Sequence, residues 1–296
     1  MTKKMMPVIF ALGCFLVACL VGCASQKMWY GNAESGFILQ HRLATTDSCA
    51  TYRCQTSVSD SMYLMGKSIR ANTNFTFLLN RNLVSRSENG SFRLSLDCDS
   101  IRFNSTAQNL QPILPTIREA LSSFIHQKLV AEMSPLGEAT VMAPIDSLLP
   151  PRIQPFLDPQ AVLGFLFPKF KPEGVLPGNQ WSASNEYIRK TPELNLTISD
   201  SLNYKIESVE QVDSLSVLRI SVSGNVELEG KERQLNILAK VLGKGEVSGE
   251  FLFAHQKSRF LGGSFLKKFR LDYFFPGVES MPVTKSMTIH TEISSK

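Results

Sequence analysis

The feature that most constrains this chain is a two-residue alternation of apolar and polar side chains, repeated along most of its length. After Trp181, Leu194, Leu196 and Ile198 alternate with Asn195, Thr197 and Ser199. Leu202, Tyr204 and Ile206 alternate with Asn203, Lys205 and Glu207, and Leu218, Ile220 and Val222 follow. Further runs occupy 235–242, 250–260 and 265–275, and the last sets Val283, Met287, Ile289 and Ile293 against Thr284, Ser286, Thr288 and His290. Side chains change face at every residue of a strand, so this period predicts strands with one buried face. Short Gly, Asp and Asn turns between them predict an antiparallel meander. So many strands must curl or close to cover their edges.

The first half carries the same pattern. Phe37 to Leu43 reads as a strand, and Ala50 to Asp60 places Tyr52, Cys54 and Val58 opposite Arg53 and Gln55. Met62 to Arg86 is long for one strand and is expected to fold over near Asn72–Asn74. Ser91 to Phe103 alternates Phe92, Leu94, Leu96 and Cys98 with Arg93, Ser95, Asp97 and Asp99, after a hairpin signal at Glu88-Asn89-Gly90. Ile113, Ile117, Ala120, Leu121, Phe124 and Ile125 instead recur at three- and four-residue spacing, predicting a helix from Pro112 to about Gln127. Lys128–Met133 and Glu138–Met142 then form a hairpin about Ser134-Pro135-Leu136-Gly137. The fold class is therefore mainly β: antiparallel meanders forming a curved sheet or half-barrel, with one main helix and a Pro-rich connector.

That connector, 143–178, holds eight prolines from Pro144 to Pro177, which excludes central strands. It also carries Leu163, Phe165, Leu166, Phe167 and Phe170, where a free linker would be polar. It is expected to pack on the domain, with a short helix after Asp158-Pro159.

The N-terminus is of another kind. Lys3 and Lys4 precede an apolar stretch to Leu20, too short for a comfortable membrane span of ~20 residues. Leu20-Val21-Gly22-Cys23 resembles the bacterial lipobox, which implies cleavage before Cys23 and lipidation of its thiol. Each buried CH₂ contributes ~0.8 kcal/mol, so several acyl chains hold a protein firmly to a membrane. The expected division is a signal peptide at 1–22, an anchor and tether at 23–35, a β meander with its helix at 36–142, the connector at 143–178 and a second meander at 179–296. Ala24 in place of Asp points to the outer membrane, so the expected location is the cell envelope, lipid-anchored and facing the periplasm.

Without Lys3 and Lys4 the chain has 29 basic and 26 acidic side chains, a balance that argues against nucleic acid as a partner. Cys49, Cys54 and Cys98 remain in an oxidising compartment, where three thiols allow one bond. Cys49 and Cys54 in an extended segment would lie ~16 Å apart, beyond the ~7 Å that a disulfide tolerates. Either Cys98 is a partner, or Cys49–Cys54 closes a loop. Cys54 with Cys98 is the favoured pair, because both fall on the apolar faces of their strands.

Catalytic and cofactor motifs do not emerge. Gly245-Glu246-Val247-Ser248-Gly249 has its serine one position late for a hydrolase elbow. His41, His126, His255 and His290 are isolated, which gives no zinc spacing. Asp97 and Asp99 read as a solvated strand face, and Lys257, Arg259, Lys267, Lys268 and Arg270 as a basic patch. The expectation is a protein that is not an enzyme and uses no metal or cofactor.

Phe167-Pro168-Lys169-Phe170 with Leu176-Pro177-Gly178-Asn179-Gln180-Trp181 resembles the Phe-Pro…Pro-Gly-Asp-x-Trp motif of an uncharacterised family of bacterial exported proteins and lipoproteins, whose chains continue into a β meander. Ser134-Pro135-Leu136-Gly137 is similar to that family's Ser-Pro-x-Gly turn, while Asn179 departs from its Asp. The family has no established activity, so no functional residue carries over. A curved sheet with a helix on its concave side also resembles the half-barrels of lipoprotein-localisation factors. By that likeness the domain would bind a lipid or acylated ligand in an apolar cavity, with Ile117, Leu121, Phe124 and Ile125 plugging the cavity or covering it as a lid. The alternative is an envelope structural or protein-interaction lipoprotein with no small ligand.

Overall fold

Alternation along the chain becomes one antiparallel sheet in the computed structural model, which describes residues 31–43, 49–64, 67–108, 110–125, 127–142, 159–190, 194–234, 237–277 and 283–296. A short hairpin, β1 (Gly31–Asn32) and β2 (Gly36–Phe37), precedes three long strands: β3 (Cys49–Leu64), β4 (Lys67–Arg86) and β5 (Phe92–Ser105). Helix α1 (Leu114–Phe124), the hairpin β6 (Lys128–Met133) and β7 (Ala139–Val141), and helix α2 (Pro159–Leu166) follow. The second meander comprises β8 (Gln180–Lys190), β9 (Leu194–Val212), β10 (Leu215–Gln234), β11 (Ile237–Ala254), β12 (Arg259–Phe274) and β13 (Val283–Ser295). The spatial order is β7-β6-β5-β4-β3-β13-β12-β11-β10-β9-β8, eleven strands curled into a half-barrel. The last strand closes the join between the two meanders, pairing with β3 from Lys285↔Met62 to Ser295↔Tyr52.

Turn chemistry follows the sequence. Asp213 and Ser214 both have positive φ and make the two-residue turn of β9–β10, whose twist matches its strands. At β4–β5, Gly90 has φ +85° and the Asn89 side chain accepts from the Ser91 amide at 3.0 Å. The expected fold-over near Asn72–Asn74 does not occur; β4 runs straight through it. Those polar residues have partners across the ladder: Ser59 donates to the Asn72 side chain at 2.7 Å, and the buried Thr73 hydroxyl meets that of Ser105 at 2.8 Å.

Helix α1 follows a 3-10 turn, Gln111–Ile113, with proline where the amide has no helical partner. It ends three residues short of the expected Gln127, since Ile125 is already extended. The Gln127 side-chain amide donates its Nε2 hydrogen to the freed Ser123 carbonyl at 2.7 Å, satisfying one group of the last turn. Leu114, Ile117 and Leu121 are buried in the main core.

Prolines keep the connector out of the sheet, yet its described part is packed. Phe37 and Val175 exchange both backbone hydrogen bonds, at 2.8 and 2.9 Å. The Trp181 indole donates to the Lys169 carbonyl at 2.9 Å and stacks on Tyr204 at 5.2 Å. Gly137, at φ +90°, turns where a Cβ would lie 2.4 Å from the Pro168 carbonyl oxygen, so no other residue fits beneath the connector. Residues 143–158 lie outside the described part.

The cysteines correct an expectation. Cys49, Cys54 and Cys98 are all free thiols, the last two buried. Cys54 and Cys98 do share the inner face, but β4 runs between their strands. Two strand spacings are roughly 9–10 Å, more than a disulfide bridges. Burial pushes both thiols up to about 12, and the proximity of Cys98 adds to the shift at Cys54.

Candidate ligand groove on the concave face

The hairpins β4–β5, β9–β10 and β11–β12 form one end of the half-barrel, here called the lower end. Hairpins β3–β4, β8–β9, β10–β11 and β12–β13 form the upper rim. The lower half of the concavity is filled from both sides. The segment from Phe37 to Leu43, helices α1 and α2, and Phe167 and Phe170 fold over the inner side chains of both meanders as one core.

His41 sits inside this plug, 2 % exposed, against the Phe170 ring at 4.8 Å and edge-on to Phe167 and Phe253. Its Nε2 lies 3.0 Å from the Pro168 carbonyl oxygen, which makes it a donor there. Burial lowers its pKa to about 4, so the ring is neutral at pH 7, with the Pro168 bond opposing the shift. His255 is also buried, edge-on to Phe37 at 4.8 Å, and burial again favours its neutral form. His290 is on the outer face, 2.9 Å from the Ser264 hydroxyl, and His126 lies outside the described residues. The three described histidines thus serve three separate places. Among the described residues no three His, Cys, Asp or Glu side chains gather as a metal site.

Of the predicted helix residues, Ile117 and Leu121 point into the core, at 1 % and 3 % exposure. Ile125 is half-buried beyond the helix end, and the Phe124 side chain lies outside the described part. A cleft of about 20 Å³ beside the plug, lined by His41, Tyr52, Arg81 and Phe260, has room for roughly one water. Among the described residues this cleft has no room for an acyl chain.

The upper half holds a separate cluster, its side chains buried like those of the first. A second apolar cluster runs along the concave face toward the rim: Leu194, Leu196 and Ile198 of β9, Val226 of β10, Val241 and Val247 of β11, and Leu271 and Tyr273 of β12. Glycine floors this stretch. A Cβ at Gly243 would lie 2.5 Å from the Leu271 side chain, and one at Gly245 2.4 Å from the Phe269 ring. Large neighbours therefore lie flat across the strands instead of standing into the concavity, and the sheet can bend sharply there.

A polar step separates the clusters. The Asn185 amide donates to Asp200 at 2.7 Å, and Lys267 holds its ammonium 4.5 Å from the centre of the Phe165 ring on α2. Phe165 stacks on Phe265 at 4.3 Å, fixing α2 over the boundary. Burial raises the Asp200 carboxyl, against the pull of its Asn185 bond and of Lys267 and Lys169. Nearer the rim, Tyr273 donates to Glu232 at 3.1 Å, and Lys285 pairs with Asp60 at 2.9 Å.

The expected basic patch is divided by strand geometry. Lys267 stands opposite the buried Val247 and faces inward, whereas Lys268 stands opposite Glu246 and faces out. Lys257 and Arg259 belong to the small lower cleft. Gly245 to Gly249 lies mid-strand in β11 and not at the strand-to-helix turn of a hydrolase elbow. Sequence reading missed the second cluster as a site, although its signal was present: three glycines within an otherwise regular strand.

No known family model matches the chain, and no characterised protein gives a significant match.

Proposed function

We propose that the chain is a non-catalytic lipoprotein of the cell envelope, anchored through lipid on Cys23 and facing the periplasm from the outer membrane. In this reading the apolar cluster on the upper concave face, buried in this structure, parts to take an acyl chain. The observation that carries it is the second apolar cluster, which continues up the inner face beyond the plug, bounded below by Asp200 and Lys267. An amphipathic ligand matches that order: chain against Val226, Val241 and Leu271, polar end at the step or at the rim. Cys23 and the leader lie outside the described residues, so the anchor rests on the lipobox likeness alone.

The filled lower half favours a second reading, an interaction protein with no small ligand. A fluorescent fatty acid titrated into the parent and into Val247→Trp separates the two. Saturable binding, lost when the indole fills the groove, supports the carrier reading. Equal uptake by both proteins, or none by either, removes it.

A further inference from the structure

Ten large apolar side chains stand exposed among the described residues, and six of them crowd the upper rim: Tyr63, Ile69, Ile188, Ile237, Leu238 and Leu242. Register makes this a shared feature of separate hairpins. Ile188, Thr197, Glu229 and Leu242 lie in one row across β8, β9, β10 and β11. The same row continues through Asp272 and Thr284 toward Tyr63 on β3. From β3 to β8 that row spans six strand spacings, roughly 29 Å. Ile188 and Tyr63 are 67 % and 66 % exposed, values that hairpin ends in water do not require. At the lower end Val84 and Val209 are exposed singly.

A second observation concerns charge. One row nearer the rim, on the same outer face, Lys190, Asn195, Lys231 and Lys240 stand in line. Lys231 is directly opposite Lys240, an arrangement that destabilises a sheet by like-charge repulsion. Glu229 meets Lys240 at 3.3 Å, which leaves the row with a surplus of positive charge. Beyond it, Arg233 stands opposite Leu238. Cations and apolar groups thus alternate up the outer wall of β10–β11. Interfacial segments that dip into a bilayer have the same order, with cations at the phosphates and apolar groups in the acyl boundary.

We propose that this upper rim docks on an anionic phospholipid bilayer, setting the mouth of the concave groove against the membrane. Lys190, Lys231 and Lys240 meet lipid phosphates, while Leu238 and Ile237 enter the acyl boundary. The inference rests on the membrane-anchored reading above, and gives the groove a direct path for acyl chains that does not cross water.

The test uses the lipidated full-length protein with Cys49→Ser, since Cys54 and Cys98 are buried. An environment-sensitive fluorophore is attached at Leu238→Cys, at Ile188→Cys, or at Val209→Cys on the opposite end. Each is reconstituted in vesicles of phosphatidylcholine alone or mixed with phosphatidylglycerol, with nitroxide on the acyl chains. Docking predicts blue-shifted, quenched emission at 238 in the anionic vesicles, little acyl-chain quenching at 188, which stands one row behind the lysines, and water-like emission at 209. Lys231→Gln should lower the docked population about fivefold. Flotation with a water-like probe at 238 overturns the docking and leaves the anchor standing; failure to float overturns both. A blue shift at 238 with no quenching would mean that protein, including a second copy, covers the rim, and it also overturns the proposal.

Discussion

Leu121 is 3 % exposed on the inner side of α1, within the plug that fills the lower half-barrel. Truncation to alanine removes three buried carbons, a transfer loss of about 2.4 kcal/mol at ~0.8 kcal/mol each. The neighbours resist collapse onto the space, because the hydrogen-bonded ladder of the sheet holds them in place. A residual-cavity contribution brings the expected cost to about 3–4 kcal/mol. For a chain of this size that lowers the melting temperature by roughly 6–12 °C. Urea unfolding of Leu121→Ala beside Ser122→Ala, an exposed change on the same turn, isolates the effect. The serine variant should stay within about 0.5 kcal/mol of the parent. A loss below about 1 kcal/mol for Leu121→Ala would refute the plug: α1 would then open from the core as a lid.

Gly137→Ala and Gly178→Ala place a Cβ at similar positive φ, but only the first meets backbone, the Pro168 oxygen at 2.4 Å. Denaturation should show about 1–2 kcal/mol lost at Gly178 and clearly more at Gly137; equal losses would mean that the connector does not press on that turn. His41 has a folded pKa of about 4 against 6.5 unfolded, so the unfolded chain takes the proton first as pH falls. Stability should be full above pH 6.5 and fall by about 3 kcal/mol as pH drops toward 4, a fall that His41→Gln flattens in urea titrations at stepped pH. In native protein only Cys49 should react readily with a thiol reagent, all three reacting after denaturation. A Cys54–Cys98 peptide in a non-reducing map would contradict the fold.

The strands were legible because burial on one face leaves a period of two. The inner faces of β3, β5 and β9 follow the alternation of Tyr52–Val58, Phe92–Cys98 and Leu194–Ile206, interrupted by Thr56 and Asp200 on the inner side and by the buried Ser95 on the other. A polar residue on the buried face, Thr73, between two exposed asparagines defeated the same logic. Asn72, Thr73 and Asn74 look like a turn until Ser59 and Ser105 are brought opposite them, and those partners come from other strands. The pairing of β13 with β3 was likewise invisible, since local pattern carries no information on which distant edge a strand will meet. The disulfide expectation failed for that reason: shared facing was readable, the strand between was not. The rim was hidden because its lysines and isolated apolar residues are far apart in sequence and align only through the register of the hairpins.

Native mass spectrometry of the lipidated protein, released from bacterial membranes in mild detergent, tests the acyl-binding groove most directly. The account predicts a population heavier than the triacylated chain by one non-covalent lipid, lost from Val247→Trp and retained in Ser122→Ala. Parent protein that carries only its covalent lipid, and stays unoccupied when fatty acid or phospholipid is added, would contradict it.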